Sequence, residues 1–206
     1  MRRAEAQVRR FSFRERAVHW LAALSFAYAG LTGLSLWSHG AFWLASVFGG
    51  GEAARWGHPW GGTLFALSLG VMYLAWARHM RVDADDRIWL RNAGRYATHD
   101  DSGLPEASRF NAGQKLLFWL QVVATILLFA SGLVLWLPAS MPRALLETAV
   151  LIHPAVAIVS IGAIILHVYM GTAAVPGAFR GMIRGWVHPG WAAAHHPKWF
   201  REISRK

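Results

Sequence analysis

Hydrophobic and polar residues occur along this chain in long blocks, without the short alternation that is typical of half-buried strands. Asp, Glu, Lys and Arg are absent from four stretches, residues 17–51, 56–77, 116–142 and 148–179. Each stretch can include the roughly 20 apolar residues that a membrane-crossing helix needs. The pattern therefore predicts an all-α fold, an integral membrane four-helix bundle formed by a single domain over 1–206, with helices at about 17–37, 57–77, 114–137 and 149–174.

The composition agrees with a membrane protein. The chain has 206 residues, of which 55% are hydrophobic and only 16% are charged, against about 25% charged in a typical soluble domain. It also carries a formal net charge of +10, and such a basic excess is found both in nucleic-acid-binding proteins and in membrane proteins with basic flanks. Because the basic residues lie between the apolar stretches, we expect no nucleic acid partner.

The distribution of Lys and Arg predicts the topology. The N-terminal tail has six, the first connection one, the middle segment with the start of the third helix seven, the third connection one, and the C-terminal tail six. Cytoplasmic segments are enriched in these residues. Both termini, the middle loop 78–113 and the tail 175–206 are therefore predicted to be cytoplasmic. Within the middle loop, Ile88-Trp89-Leu90 indicates a short surface helix.

The first apolar stretch also has features of a cleaved signal peptide. Basic residues precede it, and Ala27-Tyr28-Ala29 resembles a cleavage site. However, the apolar run continues to Trp37, beyond that site. Cleavage would also leave three spans and place the basic middle loop on the other side of the membrane. We therefore favour a retained first span.

The chain contains no cysteine but ten histidines. The absence of cysteine excludes disulfides, thiolate metal sites, iron–sulfur clusters and covalently attached c-type haem within this chain. Any metal or cofactor must therefore be held by histidine or by another ligand without sulfur.

Four histidines fall within the predicted spans: His19, His58, His153 and His167. Ionisable residues in a span are functional candidates by default. The fourteen residues between His153 and His167 place both on one face of a helix, about 21 Å apart along its axis. The predicted helix directions then pair His58 with His153 at the outer level and His19 with His167 at the inner level.

Two histidines at one depth on different helices suit bis-imidazole ligation of haem iron. A structural zinc site would need four protein ligands, and a proton relay or transporter would usually add Asp or Glu within the spans. A histidine-lined transporter and a plain membrane anchor stay open as functions of a different class. Four glycines near these sites either leave room for a macrocycle or allow close helix packing: Gly30, Gly33, Gly61 and Gly62.

Several segments resemble the cytochrome b (gamma) subunit of membrane-bound respiratory formate dehydrogenase, over nearly the whole chain. They are Arg16-Ala17-Val18-His19-Trp20, His58-Pro59, Phe110-Asn111-Ala112-Gly113-Gln114-Lys115, Leu151-Ile152-His153, His167-Val168-Tyr169-Met170 and His195-His196-Pro197-Lys198-Trp199. The histidine pairs alone are equally typical of the cytochrome b subunits of nickel–iron hydrogenases and related quinone-linked oxidoreductases.

The resemblance implies two haems b, with His19, His58, His153 and His167 as axial ligands of the iron. It also implies a quinone site near the cytoplasmic side, to which Asn111, Gly113 and Gln114 contribute together with His167, and whose substrate is menaquinone or ubiquinone. The residue types allow a second role. Asn111 followed three residues later by Gln114 is also typical of a capping box at a helix start, and the two roles can coexist.

The implied function is that of a quinone-reducing subunit of a multi-subunit oxidoreductase in the bacterial inner membrane. Electrons would pass from a periplasmic iron–sulfur (beta) subunit through the two haems to the quinone. Formate would be oxidised on a separate molybdenum or tungsten catalytic (alpha) subunit, in agreement with the lack of cysteine here. Contacts with membrane lipid and a higher oligomer of the complex are further expectations.

Overall fold

The structure is a computed structural model that describes residues 7–97 and 103–205. The elements in chain order are β1 (Val8–Arg9), α1 (Phe13–Trp37), a 3₁₀ turn (His39–Ala41), α2 (Leu44–Val47), α3 (Gly51–Trp76), α4 (Ala84–Arg91), α5 (Ala93–Ala97), α6 (Ala112–Trp136), a 3₁₀ turn (Pro138–Ser140), α7 (Arg143–Tyr169), a π-helical turn (Met170–Ala174), α8 (Ala178–Arg184), β2 (Trp186–Val187), α9 (Pro189–His195) and α10 (Pro197–Ser204). Arg2 and Arg3 of the basic N-terminal tail, and Lys206, lie outside the described residues.

Within these ranges, four helices are long and apolar enough to cross a membrane: α1, α3, α6 and α7. Including the adjoining turns, the second and fourth spans run over Gly51–Met80 and Arg143–Ala174. The predicted all-α class with four spans is confirmed. The short surface helix predicted around Trp89 is α4.

Side-chain caps determine where two of the spans begin. At the start of α1, Ser12 Oγ accepts a hydrogen bond from Glu15 N at 3.3 Å, and Glu15 Oε2 accepts one from Ser12 N at 2.8 Å. This reciprocal pair is a capping box, so α1 begins at Phe13, before the predicted residue 17. Asn111 and Gln114 form the same arrangement ahead of α6.

The second and fourth spans also begin earlier than predicted, because their first turns are polar. The first turns of α3 include Glu52 and Arg55, and in α7 Arg143 Nε donates to Glu147 Oε1 at 2.7 Å. A prediction from charge-free stretches includes only the apolar part of a helix. These two helices therefore continue past the apolar stretch at their N-terminal ends.

The chain divides into two compact units. The first, here called the span unit, comprises Ala17–Leu74 and Leu120–Leu166. Its core includes the buried side chains of Ala22, Phe65 and Leu69, against which Phe26, Met72 and Val122 pack. In the same unit Ser160 Oγ donates to Gln121 Oε1 at 2.7 Å, and both residues are buried.

The second unit, here called the terminal unit, comprises the described residues of Met1–Arg16, Ala75–Trp119 and His167–Lys206. Strands β1 and β2 pair antiparallel, with Val8 opposite Val187, and Val187 packs with Ala192 and Trp199 in a small core. Strand pairing therefore joins the N-terminal tail to the C-terminal tail.

A buried arginine connects three segments of the terminal unit. Arg10 is only 3% exposed, and its guanidinium carbon lies 4.5 Å from the centroid of the Trp199 ring. The guanidinium donates to the backbone carbonyl of Arg109 and to His196 Nε2 at 3.2 Å. His196 Nδ1 donates in turn to the Ser108 carbonyl at 2.8 Å.

These contacts require a neutral His196. An arginine can only donate hydrogen bonds, so Nε2 must accept and the proton must be on Nδ1. Burial, and next the neighbouring charge of Arg10, lower the pKa of His196 to about 3. Burial also lowers the pKa of Arg10 to about 9, which leaves its positive charge in place at neutral pH.

The low pKa of His196 predicts acid sensitivity. The unfolded chain binds a proton near pH 6.5, whereas the folded chain does so only near pH 3. Stability should therefore fall as the pH decreases from 6.5 towards 3, by at most about 1.4 kcal/mol per pH unit from this residue. Melting temperatures of the solubilised protein between pH 7.5 and 4.5 measure the effect.

The matched variants are His196→Gln and, at the exposed neighbouring position, His195→Gln. We expect His196→Gln to be less stable at neutral pH but to have a flatter pH profile, while His195→Gln follows the wild type. Equal slopes for wild type and His196→Gln would contradict this explanation.

Candidate metal centre

His58 on α3 and His153 on α7 lie side by side in the span unit. Their ring centroids are 6.0 Å apart and their planes are inclined by 76°. Both side chains line a cavity of about 830 Å³ that is bounded by residues of α1, α3, α6 and α7. This volume lies in the range of about 300–1,000 Å³ that is common for ligand sites.

The lining of the cavity is mainly apolar. Besides the two histidines, its ionisable residues are Glu52 and Arg55. Across the described ranges, no three His, Asp or Glu side chains are grouped to hold a metal ion. His58 and His153 together thus provide two imidazole nitrogens to a largely apolar space.

A hydroxyl group from the first span orients His58. Its Nδ1 lies 3.2 Å from Thr32 Oγ1 and 3.1 Å from the Ala29 carbonyl oxygen. Thr32 Oγ1 donates its own proton to the Tyr28 carbonyl at 2.7 Å, as hydroxyls in helices often do four residues back. The hydroxyl oxygen and the Ala29 carbonyl oxygen are therefore both acceptors for the imidazole N–H.

A hydroxyl group from the third span orients His153. Ser131 Oγ lies 3.0 Å from His153 Nδ1 and donates to the Leu127 carbonyl at 2.7 Å. In a neutral imidazole one nitrogen donates and the other accepts. With Nδ1 protonated on both rings, the lone pair of each ring is on Nε2, the nitrogen available to a metal.

Glycines next to these hydroxyls provide the space for the rings. A Cβ added at Gly33 would lie 2.9 Å from His58 Cε1, and one at Gly132 would lie 3.3 Å from His153 Cε1. Gly33 thus makes room for the His58 ring. By contrast, a Cβ at Gly61 would lie 2.4 Å from the Tyr28 ring, so Gly61 allows close helix packing, while Gly30 and Gly62 line the cavity.

Thr32 and Ser131 are functional candidates that the sequence analysis missed. The signal was a weak internal repeat: Thr32-Gly33-Leu34-Ser35-Leu36-Trp37 corresponds to Ser131-Gly132-Leu133-Val134-Leu135-Trp136, and His58-Pro59 corresponds to His153-Pro154. A hydroxyl followed by glycine precedes a His-Pro pair in both halves of the chain. Each half therefore builds the same hydroxyl–imidazole contact.

The other two candidate ligands belong to different units. His19 is half-buried on α1 in the span unit, and its ring lies edge-on to Trp20 with centroids 5.5 Å apart. His167 is half-buried near the end of α7 and is the first residue of the last segment of the terminal unit. Their pairing stays a prediction.

The residues of the predicted quinone site start the third span. Gln114 N donates to Asn111 Oδ1 at 2.9 Å, and Asn111 N donates to Gln114 Oε1 at 3.1 Å. This is the capping box that the residue types also indicated. The cap uses both side-chain oxygens, which leaves the two amide NH₂ groups as donors. A Cβ at Gly113 would lie 3.5 Å from both Asn111 Oδ1 and the Trp89 ring.

Comparisons with known proteins identify the family of the chain. A family model described as prokaryotic cytochrome b561 matches residues 10–185. The chain is 31% identical over 208 residues to the formate dehydrogenase cytochrome b556(fdo) subunit of Escherichia coli K12, covering 100% of this chain and 97% of that protein. It is 33% identical over 199 residues to the nitrate-inducible formate dehydrogenase cytochrome b556(Fdn) subunit of the same organism, with 95% and 91% covered.

A third relative comes from a different bacterium. The formate dehydrogenase cytochrome b556 subunit of Haemophilus influenzae is 30% identical over 192 residues, which cover 91% of this chain and 79% of that protein. With its four apolar helices, the chain is a bacterial inner-membrane protein, and it belongs to the prokaryotic cytochrome b561 family.

Proposed function

We propose that this chain is the di-haem cytochrome b subunit of a formate dehydrogenase complex, with a quinone as the electron acceptor. The observation that carries the proposal is the convergence of His58 and His153 in one apolar cavity inside the span unit. The formate dehydrogenase names of the three relatives support the choice of complex.

The site of His58 and His153 fits a haem b. His58 and His153 would hold the haem, because both imidazoles line the same mainly apolar cavity and their ring centroids are 6.0 Å apart. The haem would supply the remaining nitrogen ligands of its iron, so this chain would need to contribute only the two imidazoles. Arg55, one turn before His58 and in the cavity lining, would be a counter-charge for the carboxylates of the haem.

For the second haem we propose His19 and His167 as ligands. Both imidazoles are half-buried on apolar helices, and their sequence positions assign them to one depth near the inner leaflet. Haem b supplies one-electron redox chemistry when bound, and two such groups at different depths would link the two sides of the membrane.

The proposed topology follows from charge. Lys and Arg are concentrated in the two tails and the middle segment, in numbers of six, seven and six, against one in each remaining connection. By the positive-inside rule, the termini and the middle segment are cytoplasmic. His58 and His153 then lie towards the periplasm, and Asn111 lies at the cytoplasmic end of α6.

We propose that the quinone binds at this cytoplasmic end. The amide NH₂ groups of Asn111 and Gln114 would donate to a quinone oxygen, while their oxygens maintain the helix cap. Gly113 lies between them in the chain and has no side chain that would take up space next to Asn111. His167 is the further residue proposed to contact the quinone. Protons for the reduced quinone would then come from the cytoplasm, so that electron transfer separates charge across the membrane.

The proposed partners are an iron–sulfur subunit on the periplasmic side and a molybdenum or tungsten catalytic subunit. With no cysteine in its 206 residues, this chain has no thiolates for an iron–sulfur cluster. A nickel–iron hydrogenase or related reductase as donor would use the same haem ligands. Co-purification with a formate-oxidising subunit supports the first assignment, and co-purification with a hydrogenase supports the second.

Haem content tests the ligand assignment. We expect two haems b per chain in fully loaded protein, measured by the pyridine haemochrome spectrum. His58→Ala or His153→Ala should each reduce the content to one haem, because each removes an axial ligand of the same iron. His39→Ala, at an exposed position just after α1, is the matched control and should retain two. Fewer than two haems in the wild type, or two in His58→Ala, would contradict the assignment.

Two substitutions at Asn111 separate the quinone contact from the cap. Asn111→Asp keeps a good N-cap acceptor but removes the amide donor. We expect it to melt like the wild type, yet to raise the KM for quinone about twofold to tenfold in the assembled complex, as the loss of one hydrogen bond implies.

The comparison variant is Asn111→Ala, which lacks both the acceptor and the donor. It should lose about 1 kcal/mol of stability as well. A wild-type KM for quinone in Asn111→Asp, at unchanged haem content, would restrict Asn111 to helix capping.

A further inference from the structure

His58 and His153, the two candidate ligands of the outer haem, come from different helices. Each is in contact with a hydroxyl group of a neighbouring helix. His58 Nδ1 contacts Thr32 Oγ1 at 3.2 Å and also the Ala29 carbonyl oxygen at 3.1 Å. His153 Nδ1 contacts Ser131 Oγ at 3.0 Å. Thr32 and Ser131 are 0% and 7% exposed, respectively. These hydrogen bonds therefore form away from solvent, where electrostatic interactions are stronger than in water.

Each hydroxyl is also polarised by its own helix. Thr32 donates to the Tyr28 carbonyl, and Ser131 donates to the Leu127 carbonyl, each at 2.7 Å. A hydroxyl that donates one hydrogen bond becomes a better acceptor for the next, because a chain of hydrogen bonds is cooperative. The imidazole N–H is thereby drawn towards the hydroxyl oxygen, and electron density at Nε2 increases.

Electron density at Nε2 matters for a bound iron. When the ring nitrogen that does not bind the metal donates a hydrogen bond, the bond fixes the orientation of the ligand histidine and raises its basicity. A more basic axial ligand favours the oxidised, more positive iron. Hydrogen bonding around the ligands is one of the ways in which a protein adjusts the reduction potential of a haem.

We propose that Thr32 and Ser131 are positioning residues that orient His58 and His153 and lower the reduction potential of the haem between them. This inference rests on the proposed function, in which these histidines bind haem iron. Gly33 follows Thr32 in the chain, and Gly132 follows Ser131. Each glycine provides the space that the imidazole occupies. The glycine permits the approach of the ring, and the hydroxyl fixes its rotation.

The test is a redox titration of the holoprotein, followed by its haem absorption. Thr32→Val and Ser131→Ala remove the hydroxyls with little change in volume, whereas Thr32→Ser and Ser131→Thr keep them. Ser131→Ala should shift the reduced-to-oxidised ratio of this haem about threefold to tenfold towards the reduced form, where tenfold corresponds to about 59 mV for one electron. Thr32→Val should shift the ratio in the same direction but by less, because the Ala29 carbonyl still accepts a hydrogen bond from His58 Nδ1. The hydroxyl-retaining variants should titrate like the wild type.

Ser25→Ala is the matched control. Ser25 Oγ on the same helix makes the equivalent hydrogen bond to the Leu21 carbonyl at 2.7 Å, seven residues from Thr32. It should leave the potential of the His58 and His153 haem unchanged. If Ser25→Ala shifts that potential as much as Thr32→Val does, the effect is a general one of helix packing and the proposal is wrong.

The remaining outcomes are distinguishable from failure of the proposed function. Unchanged potentials in Thr32→Val and Ser131→Ala, with a haem that His58→Ala removes, would overturn the role of the hydroxyls and leave the haem site intact. If Thr32→Val loses the haem, Thr32→Ser decides: retention at the wild-type potential supports the hydroxyl, and loss overturns it. A haem complement that is unaffected by His58→Ala would overturn the haem site itself.

Discussion

In the apolar interior of a bilayer, a polar group must find its hydrogen-bond partner within the protein, since no water is available to it. Several buried polar side chains of the span unit meet this constraint, and most of them are short and carry a hydroxyl. Gln121 and Ser160 bond to each other across two spans, while Thr32 and Ser131 bond both to their own helices and to an imidazole of a neighbouring one. These few contacts specify which residues face each other, and so they position the rings of His58 and His153 on the cavity.

The terminal unit contains most of the charged residues. Its constraint is therefore that a buried charge must be hydrogen-bonded within the protein. Arg10 joins the N-terminal strand to the backbone of Arg109 and to His196, and His196 holds the Ser108 carbonyl. The segment fixed in this way leads directly into Asn111 and the cap of α6. The residues proposed to contact quinone are thus supported by a buried network in which a neutral histidine is essential.

The number of spans and the proximity of His58 and His153 could be predicted from the sequence. The charge-free stretches give the spans, and the alternately high and low numbers of Lys and Arg in the connecting segments give the direction of each helix and hence the depth of each histidine. The hydroxyl contacts could not, since a Thr or Ser in an apolar helix usually bonds only to its own backbone. The pairing of Val8 with Val187 was equally hidden, because two-residue strands so far apart in the chain have no detectable periodicity. Caps at α1 and α6 and polar first turns at α3 and α7 explain why all four spans begin before the predicted residue.

The most direct measurement of the central claim is an experimental structure of the haem-loaded protein at a resolution that shows the axial ligands. We predict a macrocycle in the cavity of the span unit, with its iron bound by Nε2 of His58 and Nε2 of His153, and with Nδ1 of each ring still directed at Thr32 and Ser131. A cavity filled by lipid, or an iron with a different axial ligand, would contradict it.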